Sequence, residues 1–189
     1  MHPAQPSIAI LTGQLHSGKT TLLFQLVRNL RREGIRVCGI LAEGLWHNGI
    51  RSGFNLIDAS DDTLTPLCRR RNDDDPRQAT PYIFNEEGMT AGKRALSLER
   101  CADADVILVD EVGPLEIRGM GWALHLAPLL RLNGPVHLWV VRNTCLEQVR
   151  DRWKLEHAEI IDASETSALS QLTGFCLKHG KKGKDMQHD

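Results

Sequence analysis

The residue types and spacing best suited to chemistry lie in "GQLHSGKTT", which follows a short apolar segment. Within it, Gly13, Gly18, Lys19 and Thr20 match the pattern G-x-x-x-x-G-K-[ST]. Glycines permit positive φ angles and close backbone approach, so that successive N–H groups point at one anion. A lysine adds a mobile positive charge, and a threonine hydroxyl suits Mg²⁺. The pattern therefore predicts a phosphate-binding loop with Mg²⁺ as its cofactor.

The whole loop is predicted to bind nucleotide, through Gly13, Gln14, Leu15, His16, Ser17, Gly18, Lys19, Thr20 and Thr21. Lys19 is expected to contact the β- and γ-phosphates and to take part in catalysis. Thr20 is expected to be a metal ligand, and His16 either contacts a phosphate or faces water. A coincidental glycine turn is the alternative, but a strand before the motif and a helix after it favour the phosphate loop.

A second set of candidates lies in "ADVILVDEVGPLE", where apolar residues lead into two adjacent carboxylates. Such a sequence is typical of a Walker B strand. We expect Asp110 to bind Mg²⁺ and Glu111 to be the general base that deprotonates the attacking water. The alternative is a helix cap or a solvated acidic turn.

The tetrapeptide "DEVG" also satisfies the D-x-x-G pattern of GTPases. That interpretation needs an N-K-x-D motif further along, and the sequence has "VVRNTC" near the corresponding place. Guanine specificity is therefore unsupported, and broad base tolerance is expected.

Strands and helices that would position these residues alternate through most of the chain. Apolar runs predict strands at 7–12, 35–44, 53–59, 82–88, 105–113, 136–141 and 158–163, and helical periodicity predicts helices at 19–34, 90–103, 121–134 and 144–156. A kink is expected at Pro128. The charged segment 69–81 is expected to be a mobile surface loop. This order indicates an α/β fold with a mainly parallel central sheet and helices on both faces, and ligands bind beyond the carboxyl ends of such strands.

Composition limits the classes of function. The chain has 189 residues, a formal net charge of -1 and 41% hydrophobic residues, as expected for one domain over 1–176 with a disordered polar tail at 177–189. Near-neutral charge argues against nucleic acid as the main partner, and no apolar run or signal peptide indicates a membrane or export. Five cysteines without a CxxC pair predict reduced thiols and a cytoplasmic location.

The segments "GQLHSGKTT", "GIRSGF" and "DEVGPLE" together resemble the THEP-type small nucleoside-triphosphatases, a family that includes the cancer-related NTPase. The resemblance covers nearly the whole chain except the last dozen residues. It implies a RecA-like P-loop NTPase that hydrolyses several nucleoside triphosphates with Mg²⁺, using Gly13 to Thr21, Asp110 and Glu111. Protein partners and the physiological nucleotide are not implied.

The sequence departs from the family pattern after the second strand. Ala42 stands where the family usually has threonine, and Trp46 where it usually has arginine, whereas Glu43, Arg51, Gly53 and Phe54 agree. These residues belong to a hairpin in the family. If the hairpin shapes the pocket for the base or sugar, nucleotide preference differs from that of the family.

Arg142 follows the apolar run "VHLWVV". In RecA-like domains this strand often lies between the other two key strands. Arg142 is therefore a candidate transition-state contact for the γ-phosphate, and the alternative is a surface arginine that pairs with a nearby acid.

Three functions fit the motifs. The first is a Mg²⁺-dependent nucleoside triphosphatase acting on ATP, GTP and other triphosphates. The second is a kinase for a nucleotide or small metabolite. Glu111 argues mildly against a kinase, because a carboxylate that activates water would hydrolyse ATP before its phosphate is transferred to an acceptor. The third is a nucleotide-gated adaptor similar to the P-loop accessory protein of molybdopterin dinucleotide synthesis.

Overall fold

A computed structural model describes residues 6–14, 18–71 and 80–180 and shows an α/β fold. The strands are β1 Ile8–Thr12, β2 Val37–His47, β3 Ile50–Asp58, β4 Leu64–Arg70, β5 Tyr82–Phe84, β6 Val106–Val112, β7 Val136–Val141 and β8 Glu159–Asp162. The α-helices are α1 Lys19–Arg32, α2 Glu86–Ala95, α3 Leu98–Cys101, α4 Pro114–Ile117, α5 Ala123–Leu129, α6 Leu146–Trp153 and α7 Ala168–Gly180. A short 3₁₀ turn at Asn143–Cys145 precedes α6.

The strands form one eight-stranded sheet in the order β5-β4-β3-β2-β6-β7-β1-β8. Strands β2, β6, β7, β1 and β8 pair in parallel, as predicted, and β3, β4 and β5 extend this sheet as an antiparallel meander. Strand β7 lies between β1 and β6. The carboxyl ends of β1 and β6 therefore lie at the same edge, one strand apart.

Helices cover both faces of the sheet, as the sequence indicated. Strand β6 shows the reason, because alternate side chains of a strand point to opposite faces. Val106 and Leu108 pack with α1 and α7, whereas Ile107 and Val109 pack with α2, α5 and α6. This two-sided burial anchors the strand that carries the acidic pair.

Several predicted elements were wrong in extent. The strand predicted over 82–88 ends at Phe84, because the Asn85 side chain caps α2 by accepting a hydrogen bond from Glu87 N, and residues 86–88 are helical. Strand β4 occupies Leu64–Arg70, which includes the start of the segment predicted as a loop; Pro66 within it weakened the strand signal. The helix predicted over 90–103 is two helices, because Ser97 caps α3 by accepting a hydrogen bond from Arg100 N. Helix α5 is shorter than predicted and contains Pro128 in its last turn.

Helix α7 was not predicted, and it runs through residues 177–180, which were assigned to the polar tail. Its periodicity is weak in the sequence because serine, threonine and glycine interrupt it. It is buried through Ala168, Leu172, Phe175 and Cys176, which pack in the same cluster as α1. The remaining tail at 181–189 and most of the predicted mobile loop, 72–79, lie outside the described residues.

All five cysteines are buried and unpaired. Among the residues that the structure describes, no helix combines the length and apolar character that crossing a membrane requires.

His137 in β7 is fully buried, and neither ring nitrogen has a hydrogen-bond partner within the described part of the chain. Burial lowers the pKa of His137 to about 4. The unfolded chain binds a proton on this ring near pH 6.5. The free energy of unfolding therefore falls by about 3 kcal/mol as pH drops from about 6.5 to 4.

We expect His137→Leu to remove this part of the pH dependence of the free energy of unfolding, measured by urea titration at a series of pH values. The exposed His47→Leu serves as control and should leave it in place; an equal pH dependence in both variants would contradict this.

Candidate active site

The candidate phosphate loop begins where β1 ends. Gly13 has φ 150° and Gly18 has φ 78°, and Gly18 directly precedes α1. Among the described residues, no atom outside Gly18, its chain neighbours and the backbone of α1 lies within 4 Å of a Cβ built at Gly18, so its backbone conformation rather than lack of space requires glycine. Leu15, His16 and Ser17 lie outside the described residues, so their predicted contacts stay predictions.

Lys19 is the first residue of α1, and its side chain folds back over the loop. Its Nζ donates hydrogen bonds to Gly13 O at 3.1 Å and to Gln14 O at 2.6 Å. Burial lowers the pKa of Lys19, although the charges of Glu111 and Asp110 oppose the shift. The ammonium group therefore lies within electrostatic reach of both predicted acids, which are more than ninety positions away in the sequence.

Asp110 is the most buried member of the site, with 2% of its surface exposed. Its Oδ2 accepts a hydrogen bond from Ala42 N at 3.0 Å, and its Oδ1 accepts one from Glu111 N at 2.8 Å. Burial and the neighbouring charge of Glu111 raise the pKa of Asp110 to about 7, against the effect of these two N–H groups. The carboxylate thus lies at a fixed place between β2 and β6.

Glu111 has φ 58°, in the left-handed region that residues with a side chain seldom adopt. The pairing of β6 with β7 is irregular between Val109 and Val112, on either side of this residue. The Glu111 carboxylate is about one-third exposed and pairs with Arg142, the Oε2–Nη2 distance being 3.1 Å. Arg142 therefore pairs with a nearby acid, as the alternative interpretation of this arginine had it. The acid is Glu111, the predicted general base.

One cavity of about 430 Å³, which we call the loop cavity, is bordered by Lys19, Thr20, Thr21, Glu111 and Arg142. Its opposite wall comes from the β2–β3 hairpin, through Glu43, Gly44, Trp46 and Arg51. The structure thus brings the loop, the carboxylate beside Asp110 and the arginine after β7 to one place.

The hairpin residues were considered from the sequence only for their agreement with or departure from the family pattern, and not as site residues. Arg51 lies 4.3 Å from the centre of the Trp46 ring and 4.8 Å from that of Phe54. The asparagine-glycine pair in "HNG" predicts the turn before β3, but the sequence contained no signal that this hairpin borders the loop cavity. Ala42, the other departure, donates its backbone N–H to Asp110.

Glu116 fixes the segment that follows β6. Its carboxylate accepts hydrogen bonds from Gly113 N at 3.0 Å and Trp122 N at 3.2 Å, and it is 3% exposed. A Cβ at Gly121 would lie against this carboxylate, so glycine leaves room for it. Glu116 is therefore a positioning residue, which explains why the motif continues beyond the acidic pair.

Mg²⁺ was predicted from the sequence, and the donors present suit it. The Thr20 hydroxyl and the Asp110 carboxylate are hard oxygen ligands, which Mg²⁺ prefers. Among the described residues, no group of three or more histidine, cysteine, aspartate or glutamate side chains forms a closed metal cage. Mg²⁺ characteristically binds through one or two protein oxygens together with substrate phosphates and water, so these two residues fit it.

Comparison with known proteins establishes the family. Residues 8–170 match the family model described as NTPase, and the chain therefore belongs to this NTPase family. It is 33% identical over 108 residues to the nucleoside-triphosphatase THEP1 of Ignicoccus hospitalis, an alignment that covers 57% of this chain and 60% of the relative's length. The chain thus spans less than two thirds of this relative. With the nucleoside-triphosphatase THEP1 of Archaeoglobus fulgidus it shares 28% identity over 164 residues, covering 85% and 93% of the two chains.

The fold also matches a solved structure. The solution structure of a human cancer-related nucleoside triphosphatase superposes with a TM-score of 0.69 at 20% identity, covering 91% of this chain and 96% of that one. At this identity the match shows the shared fold. The resemblance stated from the sequence motifs is confirmed by the family match.

The φ angle of Glu111 allows a test of backbone strain. Glu111→Ala and Glu111→Gly both remove the carboxylate, but glycine adopts φ 58° without the cost that a Cβ imposes. We expect the glycine variant to have a free energy of unfolding about 1 kcal/mol higher than the alanine variant in urea titrations. The same pair at Glu159, in β8, should show the opposite order, since glycine weakens an ordinary strand. Equal stability of the two Glu111 variants would contradict this account.

Proposed function

We propose that the protein is a RecA-like P-loop nucleoside-triphosphate phosphohydrolase that uses Mg²⁺ and tolerates different bases. The observation that carries the proposal is that Lys19 and Glu111 border the same loop cavity, with Asp110 directly before Glu111 in β6. Strand β7 between β1 and β6 supports the RecA-like assignment. The names of the THEP1 relatives support hydrolysis of nucleoside triphosphates.

Each residue has a role in this proposal. The N–H groups of the loop and the Lys19 ammonium hold the β- and γ-phosphates. Glu111 accepts the proton of a water whose oxygen attacks the γ-phosphorus, the bond to the β-phosphate oxygen breaks, and the diphosphate leaves. Arg142 lies beside Glu111 and the loop cavity, where its charge can stabilise the negative charge of the transition state.

Thr20 and Asp110 are the residues that would hold Mg²⁺. When bound, the ion neutralises charge on the phosphate oxygens. The two N–H groups on Asp110 fix the direction of its carboxylate, so the protein maintains this ligand in place.

Broad base tolerance rests on the lack of a guanine-reading motif in the sequence. A cytoplasmic location remains a prediction, which the five unpaired cysteines support. Nucleoside triphosphates are the proposed substrates.

Two variants separate binding from chemistry. Lys19→Ala should lose nucleotide binding and turnover together, since the ammonium contacts the phosphates in the ground state and the transition state. Glu111→Gln should keep binding and lose turnover by about 10²–10⁴, the usual value of general-base help. Titration calorimetry with a non-hydrolysable triphosphate analogue, together with phosphate release from ATP, measures both quantities.

Matched controls are available on the surface. Glu147 pairs with Arg150 at 3.1 Å, as Glu111 does with Arg142, and Glu147→Gln should leave turnover unchanged. The exposed Lys93→Ala controls for loss of a lysine. Equal loss of analogue binding in Glu111→Gln and Lys19→Ala would show that Glu111 does not act as the base.

A substrate panel tests the remaining parts of the proposal. With Mg²⁺, wild-type protein should release phosphate from ATP, GTP, CTP and UTP with kcat/KM values within about tenfold, far below the 10⁴–10⁵ discrimination of a site that hydrogen-bonds its substrate's groups. Excess EDTA should abolish release. Turnover that persists in EDTA would contradict the Mg²⁺ requirement, and turnover of one base alone would contradict base tolerance.

A further inference from the structure

A second cavity of about 520 Å³ borders the same Glu111–Arg142 ion pair but none of the loop residues Gly18–Thr21. It lies between the antiparallel meander β2–β5 on one side and α4 with Trp122 on the other. We call it the meander cavity. Its size falls within the range of small-molecule sites. Four residues line both cavities and place them side by side: Trp46, Arg51, Glu111 and Arg142.

The floor of the meander cavity is aromatic and apolar. Its members are Phe54, Tyr82, Phe84, Met89 and Trp122. Phe54 and Tyr82 meet edge to face with ring centres 5.3 Å apart, which leaves the rings held in a fixed arrangement. Such walls favour a planar aromatic ring over a flexible polar chain.

Three arginines belong to the lining of the cavity. Arg51, Arg70 and Arg142 border it. Burial raises the pKa of the Tyr82 phenol, and the charges of these three arginines oppose that shift, so all three guanidinium groups lie within electrostatic reach of one point in the cavity wall.

Arg51 is the best placed of the three for an anionic ligand. Its guanidinium lies against the Trp46 and Phe54 rings, and it forms no ion pair with any residue in the described ranges. A Cβ at Gly44 would lie too close to its Nη1, so the glycine in β2 leaves room for the guanidinium. Residues of the β2–β3 hairpin therefore hold the Arg51 guanidinium in place.

The carboxylates in the cavity wall already have partners. Asp110 accepts hydrogen bonds from Ala42 N and its neighbouring N–H, Glu111 pairs with Arg142, and Glu116 accepts two backbone N–H groups. An anion at the rim would thus meet Arg51 without facing an unpaired carboxylate.

We propose that the meander cavity is a second ligand site for an aromatic phosphate the size of a nucleoside monophosphate. The ring packs on Phe54, Tyr82 and Trp122, and the phosphate faces Arg51. That the meander cavity is distinct from the triphosphate site rests on the proposed role of Glu111. If the γ-phosphate faces the Glu111 carboxylate, the base of the same triphosphate lies at the far end of its phosphate chain and not in the meander cavity.

The test is titration calorimetry of the full chain with the four ribonucleoside 5′-monophosphates, in saturating Mg²⁺ and non-hydrolysable triphosphate analogue. We expect at least one monophosphate to bind once per chain. The nucleoside, which lacks the phosphate, and ribose 5-phosphate, which lacks the aromatic base, should each bind at least about tenfold more weakly. No binding by any of the four at millimolar concentration would overturn the proposal. Binding that occurs only when the triphosphate analogue is left out would overturn it as well, because the two ligands would then share one site.

Two matched pairs of variants locate the site. Leu115 borders the cavity and is half-buried, so Leu115→Trp should fill it and abolish monophosphate binding, whereas Leu124→Trp, at a side chain 82% exposed, should not. Arg51→Met should weaken binding at least about tenfold. Arg152 also stacks on a tryptophan, 5.2 Å from the ring of Trp153, and Arg152→Met should leave binding unchanged.

Binding of the triphosphate analogue to Leu115→Trp shows that this variant is folded. Monophosphate binding that survives in both Leu115→Trp and Arg51→Met would place the ligand elsewhere and overturn the proposal. Phosphate release from ATP is measured separately, so failure of the second site and failure of the triphosphatase proposal are distinguishable.

Discussion

The buried carboxylate of Asp110 is the constraint on which the site depends. It accepts one hydrogen bond from β2 and one from the N–H of the next residue, so a single side chain joins two parallel strands at their carboxyl ends. Burying a carboxylate is costly, and its pKa rises to about 7 despite both bonds. A nearby cation is the natural compensation, and the Lys19 ammonium already provides part of it.

The same contact directs Glu111. With its N–H held by Asp110, Glu111 takes a left-handed φ, and the regular β6–β7 pairing is interrupted there. The strained backbone presents its carboxylate to Arg142 and to both cavities instead of to a neighbouring strand. Strain of this kind persists where the surrounding structure over-determines it, and it concentrates at functional sites.

The β2–β3 hairpin gives the site its second wall. Trp46 and Arg51 border the loop cavity and the meander cavity alike, so the hairpin and the Glu111–Arg142 pair form the boundary between them. From the sequence resemblance, arginine is expected at the position of Trp46, and in this chain the Trp46 ring contacts the Arg51 guanidinium. The expected departure from the family pattern therefore lies at the wall that both cavities share.

The sequence by itself determined the position of the glycine- and lysine-containing loop, the acidic pair and the parallel α/β core, because glycine conformations, charge spacing and apolar periodicity act over a few residues. It failed for β4, which contains Pro66, and for α7, whose burial depends on packing with α1. Only the tertiary structure decided that Arg142 pairs with Glu111, that the β2–β3 hairpin borders the loop cavity, and that a second cavity lies beside it. These features arise from contacts between residues far apart in the chain, and local residue patterns carry no information about which distant surfaces meet.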